Sequence, residues 1–248
     1  MIYPGFRRLF SIVLKIFVIL VFILISNKYV YSQDAEYYFN KGVERLEDED
    51  YTQALFYFNL AIEKDPKLFE AYHNRGIVKD KLDDWEGALK DFDKAIELDN
   101  TRAETFFNRG YIKEKLNDFQ GALSDYNNAI RLDKFHVKSY MNRGGVKIEL
   151  GDYAGAIEDL TFSITHRYDL TQSYWNRAIA KEKINDVNGA IEDVSKVIAI
   201  NPDYAEAYFY RGKLELSVGD KVNACKDFNK ASEMDYPDVS DYIKENCK

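Results

Sequence analysis

From Ala35 to Asp238 the sequence repeats itself every 34 residues, and this period constrains what the chain can fold into. The units are 35–68, 69–102, 103–136, 137–170, 171–204 and 205–238. With positions numbered 1 to 34 in each unit, position 20 is Ala and position 16 is Asp in all six. Position 8 is Gly in five units and Ala178 in the other, and position 4 is always aromatic. A fixed period of about 20 to 50 residues is typical of small structural units that bury their apolar faces against one another.

The apolar positions within one unit predict two helices joined by a short turn. They recur at positions 4, 8, 10 and 14, and again at 17, 20, 21, 24 and 27, which is the spacing of one helix face. Small residues at 8 and 20 let the two helices approach closely, and bulky residues at 4 and 24 fill the space beside them. The Asp at position 16 stands where the second helix should begin, so its carboxylate is expected to accept the free N–H groups of the first turn. The sequence therefore predicts an all-α fold.

This unit resembles a tetratricopeptide repeat (TPR), whose pattern has an aromatic at 4, Gly at 8, Ala at 20, an aromatic at 24, Ala at 27 and Pro at 32. Ala occupies position 27 in four units, and Pro66 and Pro202 occupy position 32. Units two to four carry Asn-Arg-Gly at positions 6 to 8, so the chain resembles an exported TPR protein with repeats of that type. The resemblance implies an α-α superhelix (solenoid) of six helix-turn-helix units. Residues 239–248 continue the register, with Tyr242 at position 4, and are expected to form a C-terminal capping helix.

Two charged columns depart from the family pattern. Arg at position 7 and Asp at position 23 occur together in units two to six, and the first unit has Lys41 and Tyr57 instead. We predict a structural ion pair between the two helices of each repeat, because part-buried charges need partners. Pairing position 23 with the next unit's position 7 would leave Arg75 facing Tyr57. The predicted pairs are Arg75–Asp91, Arg109–Asp125, Arg143–Asp159, Arg177–Asp193 and Arg211–Asp227.

Residues 1–32 have the features of a secretory signal peptide. Arg7 and Arg8 precede the segment 9–25, which is apolar except for Ser11 and Lys15, and small-residue cleavage signals end at Ser32. The alternative is an uncleaved membrane anchor formed by residues 9–25. A spanning helix needs about 20 apolar residues, so the shorter segment here favours cleavage. Either way, the repeats are expected outside the cytoplasm, in a secreted or periplasmic protein.

The charge of the remaining chain argues against nucleic acid as a partner. Residues 33–248 carry 30 basic and 42 acidic residues, a net charge of −12, with no Lys/Arg-rich segment. Binding to a phosphate backbone requires clustered Lys and Arg.

Catalysis has no sequence signature here. The three His residues stand at different repeat positions without metal-ligand spacing, and neither a Gly-rich phosphate loop nor a nucleophile elbow is present. We therefore expect no enzymatic activity, catalytic residue, cofactor or metal site. The two cysteines, Cys225 and Cys247, are predicted to form a disulfide in an oxidising compartment, with two buried thiols as the alternative.

The resemblance implies a binding groove, because positions 2, 5, 6, 9, 12 and 13 line the concave wall in that family. The Asn at position 6 bonds the backbone of an extended peptide there, and an amide suits this because it both donates and accepts. The groove candidates at position 6 are Asn40, Asn74, Asn108, Asn142 and Asn176. Those at position 5, which offer apolar anchors, are Phe39, Phe107, Met141, Trp175 and Phe209. The alternative is that this Asn belongs to the general family pattern and that position 5 packs only against neighbouring helices.

Positions 2 and 12 are rich in Glu and Asp, and position 5 has no Lys, so the expected partner is a protein or peptide that is neutral to basic with apolar anchors. The sequence thus predicts a non-enzymatic protein–protein interaction scaffold. The alternative function is a membrane-tethered architectural spacer or self-associating element that retains residues 9–25. The partner's identity and the oligomeric state stay open.

Overall fold

A computed structural model of the chain describes residue 17 and residues 33–237 and 239–247. Except for residue 17, the predicted signal segment lies outside the described residues. The described residues form helices and turns without strands, so the predicted all-α repeat of helical hairpins is confirmed. Among these helices, none combines the length and the apolar character that crossing a membrane requires.

The helices fall into two compact units, Met1–Thr101 and Arg102–Lys248. The first contains α1 (33–47), α2 (Tyr51–Lys64), α3 (Phe69–Lys81) and α4 (Trp85–Leu98). The second contains α5 (Ala103–Lys115), α6 (Phe119–Leu132), α7 (Val137–Glu149), α8 (Tyr153–Thr165), α9 (Leu170–Lys183), α10 (Val187–Ile200), α11 (Ala205–Ser217), α12 (Lys221–Glu233) and α13 (Val239–Asn246). Within each unit, the two helices of a repeat pack together, and the second helix packs against the first helix of the next repeat.

One turn geometry joins the two helices in all six repeats. The residue at position 15 has a positive φ between 58° and 84°, a left-handed conformation that favours Gly, Asn and Asp. It is Glu49, Asp83, Asn117, Gly151, Asn185 or Gly219. The next residue is the Asp at position 16, whose side chain accepts a hydrogen bond from the backbone N–H three residues later, as from Gly87 to Asp84 at 3.0 Å. The predicted N-cap is therefore present, and the left-handed residue before it turns the chain into the second helix.

The two helices of a repeat approach most closely at position 8. A Cβ added to Gly76 would lie 2.8 Å from a ring carbon of Phe92, at position 24 of the same repeat. The fifth repeat has the larger Ala178 at position 8 and the smaller Val194 at position 24, and both are fully buried. The volumes at these two positions are therefore complementary.

Arg at position 7 and Asp at position 23 meet in five repeats, and the structure places together the pairs expected within each repeat. In every pair the Arg donates from Nε and Nη2 to the two carboxylate oxygens at 2.5 to 2.8 Å. All five Asp side chains are buried. In repeats two to five, the Lys at position 11 also pairs with this Asp, as Lys181 Nζ does with Asp193 Oδ2 at 2.9 Å.

The same arginines reach back to the preceding repeat within each unit, a role that sequence reasoning missed. The remaining nitrogen, Nη1, donates to a polar side chain at position 25 of the preceding repeat at 2.6 to 3.0 Å. These bonds are Arg75 to Asn59, Arg143 to Asn127, Arg177 to Thr161 and Arg211 to Ser195. The first repeat is preceded by no further repeat in the 34-residue register, and it has Lys41 instead of this Arg.

The last helix, α13, covers the end of the sixth repeat, as expected of a cap. Tyr242 on α13 lies 5.0 Å from Phe209 and 5.4 Å from Phe228, measured between ring centroids, and Val239 is buried. Cys225 on α12 and Cys247 after α13 are joined by a disulfide. The cap is thus attached to α12 both by packing and covalently.

Replacement of Gly76 by Ala should lower the free energy of unfolding by about 1–3 kcal/mol, because the methyl group must displace the Phe92 ring. Combining Gly76→Ala with Phe92→Val should recover part of the loss, since the double variant reproduces the pairing of Ala178 with Val194. Urea denaturation of the unaltered protein, the two single variants and the double variant measures the coupling energy between positions 76 and 92. Gly145→Ala is the control, because its nearest heavy atom would be 3.6 Å away. Strictly additive losses in the double variant would contradict the complementarity.

Replacement of Asp193 by Asn should cost about 3 kcal/mol, because it removes the partner of a part-buried guanidinium and of an ammonium group. The matched control is Asp241→Asn, whose exposed pair with Lys244 should contribute less than about 1 kcal/mol. Chemical denaturation compares the two variants. Equal small losses would show that the charge network does not hold the hairpin together.

Candidate functional site

In each unit, the candidate binding face is formed by the first helices of the repeats, and its Asn side chains differ in what they contact. Asn142 Nδ2 donates to the Tyr126 hydroxyl at 3.2 Å, and Asn176 Oδ1 accepts from Gln172 at 2.7 Å. For the other three amides, the described residues provide no hydrogen-bond partner. These three are Asn40, Asn74 and Asn108. Because neither end of these amides is bonded within the described part of the chain, these side chains are candidates for bonds to a ligand backbone.

The candidate anchors at position 5 are half-buried and contribute to packing. The rings of Phe39, Phe107 and Phe209 lie 5.8 to 5.9 Å from the ring at position 24 of the same repeat. Trp175 has two tyrosine rings at 5.2 Å, and Met141 packs against a buried cluster of the fourth and fifth repeats. Only the outer part of each side chain is therefore left for a partner.

A cavity of about 300 Å³ opens beside α1 and the start of α3 in the first unit. Phe39 and Asn40 contribute to its lining an aromatic ring and an amide that has no partner among the described residues. Three carboxylates complete the polar part of the lining, those of Glu36, Asp65 and Glu70. The cavity thus combines an apolar surface, a group that bonds peptide backbone, and concentrated negative charge.

The second unit has a cavity of about 480 Å³ beside α5 and α7. Tyr111, Glu114, Lys115 and Glu149 are among its lining residues. The Glu114 carboxylate accepts a hydrogen bond from the buried Tyr126 hydroxyl at 2.7 Å, and burial raises the pKa of Glu114. Sequence reasoning missed this bond, although Tyr126 is the only Tyr at position 24. The Glu114 carboxylate of this cavity is therefore already engaged in a hydrogen bond within the protein.

A Ser–His–Glu series links α5 to the start of α7. His136 Nδ1 lies 2.8 Å from Ser139 Oγ, and His136 Nε2 lies 2.7 Å from Glu104 Oε2. The hydrogen bond from His136 lowers the pKa of Glu104. The order of residues is that of a hydrolytic triad, but Ser139 is fully buried, so its hydroxyl is not accessible to a substrate. We interpret the series as a structural link between the third and fourth repeats.

No metal-binding chemistry is apparent in the described part of the chain. Over residue 17 and residues 33–237 and 239–247, no three His, Cys, Asp or Glu side chains are grouped so that they could hold an ion. The recurring carboxylates at positions 16 and 23 are occupied by the helix N-caps and the ion pairs.

Three family models, each described as a tetratricopeptide repeat, match parts of the chain. They cover residues 35–68, 69–102 and 107–161. The first two ranges have the same bounds as the first two units of the 34-residue period. A comparison with curated protein sequences finds no match.

Solved structures of TPR proteins share the fold at low sequence identity. PilF from Pseudomonas aeruginosa has a TM-score of 0.72 at 17% identity, with 87% of this chain and 99% of that one covered. YrrB, described as a TPR protein with an unusual peptide-binding site, has a TM-score of 0.68 at 19% identity, with 76% and 97% covered. A tetratricopeptide repeat protein from Parabacteroides merdae has a TM-score of 0.62 at 19% identity, with 87% and 100% covered.

The helical hairpins, the 34-residue register and the family models agree with one another. The identities of 17% and 19% to the solved structures establish the fold and nothing beyond it. The chain therefore contains tetratricopeptide repeats, in residues 35–102 and 107–161.

Proposed function

We propose that this protein is a non-enzymatic scaffold outside the cytoplasm that binds a peptide or partner protein on the candidate binding face, which the first helices of the repeats form within each unit. Tetratricopeptide repeats are typical of protein–protein interaction, and the cavity lined by Phe39 and Asn40 carries the proposal. Aromatic anchors beside polar groups are typical of binding hot spots. The proposed partner segment is extended, so that its backbone meets the Asn40 amide.

The charge around this cavity supports a neutral to basic partner. Glu36, Asp65 and Glu70 favour Lys or Arg side chains, whose cationic groups form strong hydrogen bonds with carboxylates. A net charge of −12 over residues 33–248 would also attract a basic partner and repel an acidic one. The partner is therefore a neutral to basic segment with an apolar side chain that fits beside Phe39.

The proposal places most of the recognition in the first unit. Asn142 and Asn176 have partners within the chain, and Trp175 packs between tyrosine rings. Within the described residues, both candidate amides of the first unit, Asn40 and Asn74, lack such partners, whereas in the second unit only Asn108 does. Identical residues at equivalent positions are therefore expected to contribute unequally to binding.

A second candidate is a membrane-tethered spacer or self-associating element, in which residues 9–25 stay attached. The exposed rings of Tyr37 and Phe56 favour it, because they leave apolar surface on the first repeat uncovered. N-terminal sequencing of the exported protein distinguishes the two candidates. A chain that starts at Gln33 argues against tethering, and a monomer in sedimentation experiments argues against self-association.

Asn40→Ala should weaken binding of a selected peptide about tenfold, because the ligand loses an amide that both donates and accepts, a loss of about 1.4 kcal/mol. The probe is a peptide obtained by panning a random library against the full chain, and affinity is measured by calorimetry. We expect selected sequences that combine Lys or Arg with an apolar residue, and affinity that falls as salt concentration rises.

Asn176→Ala is the matched control, because the same residue at the same repeat position already bonds Gln172. It should change the affinity less than about twofold. Selection of acidic peptides, or equal affinity of both variants and the parent protein, would remove this cavity as the binding site.

A further inference from the structure

The sixth repeat differs from its neighbours in the charge at position 11. Repeats two to five have Lys79, Lys113, Lys147 and Lys181 there. The sixth has Glu215. Because this position faces the buried Asp at position 23, the exchange places a second carboxyl group where the other repeats have an ammonium group.

In the fifth repeat this ammonium group has two partners. Lys181 Nζ lies 2.9 Å from Asp193 Oδ2 and donates to the Gly189 carbonyl oxygen at 3.2 Å. Together with Arg177, two cations surround one carboxylate. The local charge is +1, and the Asp accepts bonds on both oxygens.

In the sixth repeat the corresponding carboxyl group lacks adequate partners. Arg211 bonds both oxygens of Asp227, from Nε at 2.6 Å and from Nη2 at 2.8 Å. Glu215 Oε1 lies 3.9 Å from Arg211 Nε, and Glu215 Oε2 is buried with no hydrogen-bond partner among the residues that the structure describes. The residue is only 8% exposed. Two carboxylates share one cation, so the local charge is −1 when both are ionised.

An ionised carboxylate in this position is unfavourable for two physical reasons. Burial removes water from Glu215, and the Asp227 carboxylate on α12 repels it. Asp220 at the start of α12 adds repulsion, and Arg211 on α11 opposes it. On α10, the Ser195 hydroxyl accepts a hydrogen bond from Arg211 Nη1 and so contacts the Glu215 carboxyl group only indirectly, through Arg211. The net result is that the pKa of Glu215 is raised to about 7.

We propose that Glu215 makes the sixth repeat a proton-sensitive element, in which α11 and α12 are held together while the Glu215 carboxyl group is protonated and loosen when it ionises. The protonated carboxyl group supplies a hydrogen-bond donor beside Asp227, in place of the lysine of the other repeats. The proposal concerns the repeat itself and does not depend on the binding function.

The direction of the pH effect follows from proton binding. The folded state retains the Glu215 proton up to about pH 7, whereas in the unfolded chain the group ionises near its ordinary value of about 4.3. The folded repeat therefore binds more protons between these values. Its stability falls as the pH rises from about 4.3 to about 7 and levels off above that range.

The disulfide determines which elements separate. It connects α12 to the end of α13, so these two helices stay attached to each other. The contact that weakens is the one between α11 and α12, where the ring of Phe209 packs against Phe228. Opening exposes this aromatic contact at the C-terminal end of the second unit.

Hydrogen–deuterium exchange of the full, oxidised chain tests the proposal, with rates corrected for the intrinsic effect of pH. From pH 5.5 to pH 8.0, protection of peptides from 205–233 should fall at least tenfold, because the proton bound by Glu215 is lost. Peptides from 171–200, where Lys181 occupies position 11, should change less than threefold and serve as the internal control.

Three variants make the test specific. Glu215→Gln and Glu215→Lys should keep residues 205–233 protected at pH 8.0, since neither carries the second negative charge. Lys181→Glu should transfer the pH dependence to residues 171–200. Retention of the pH effect in Glu215→Gln, or equal pH effects in the fifth and sixth repeats of the unaltered protein, would overturn the proposal.

Discussion

One guanidinium group donates to three acceptor atoms in most repeats of this protein. Nε and Nη2 of the Arg at position 7 hold both oxygens of a buried Asp, and Nη1 bonds the preceding repeat within the same unit. Only a planar fork with several fixed donors can do this, and an ammonium group in its place would serve fewer partners. The same Arg therefore stabilises both the helix pair of its own repeat and the contact with the preceding repeat. The first repeat has no preceding repeat in the 34-residue register, and it has Lys41 in place of this Arg.

Most of the fold was predictable because it depends on local spacing. The helix pairs follow from the 3.6-residue period, and the N-caps follow from Asp at a fixed place before each second helix. The pairing of Arg177 with Asp193 follows from the joint absence of Arg at position 7 and Asp at position 23 in the first unit. The helix pairs and N-caps occur six times and the ion pair five times, so one sequence shows the pattern without an alignment of relatives.

Other contacts were not predictable, because they depend on how the helices cross. The bond from Arg177 to Thr161 joins residues 16 positions apart in different repeats, and only the polar character of position 25 hinted at it. The bond between Tyr126 and Glu114, and the pairing of Ser163 with Ser173, arise where single repeats depart from the common pattern. The predicted export signal lies in residues 1–32 and stays a prediction.

The candidate binding face shows the limit of a family pattern. Asn40 and Asn176 occupy the same repeat position, yet one is unpartnered within the described residues and the other bonds Gln172. The position-5 side chains divide their surface between core packing and solvent. Residue type and repeat position predict that these Asn and apolar side chains lie on the first helices. Whether each side chain can contact a ligand depends on neighbouring residues, which differ from repeat to repeat.

The close contact between positions 8 and 24 has a consequence for how duplicated repeats diverge. A methyl group at position 8 occupies space that a ring at position 24 otherwise fills, as the pair Ala178 and Val194 shows. Descendants of one ancestral repeat are therefore constrained at these two sites. Gly at position 8 accommodates Phe, Tyr or Leu at position 24, whereas a methyl group at position 8 requires a smaller side chain there. Such sites should drift as linked pairs over evolutionary time, whereas the solvent-facing positions of the same helices are free to vary one by one.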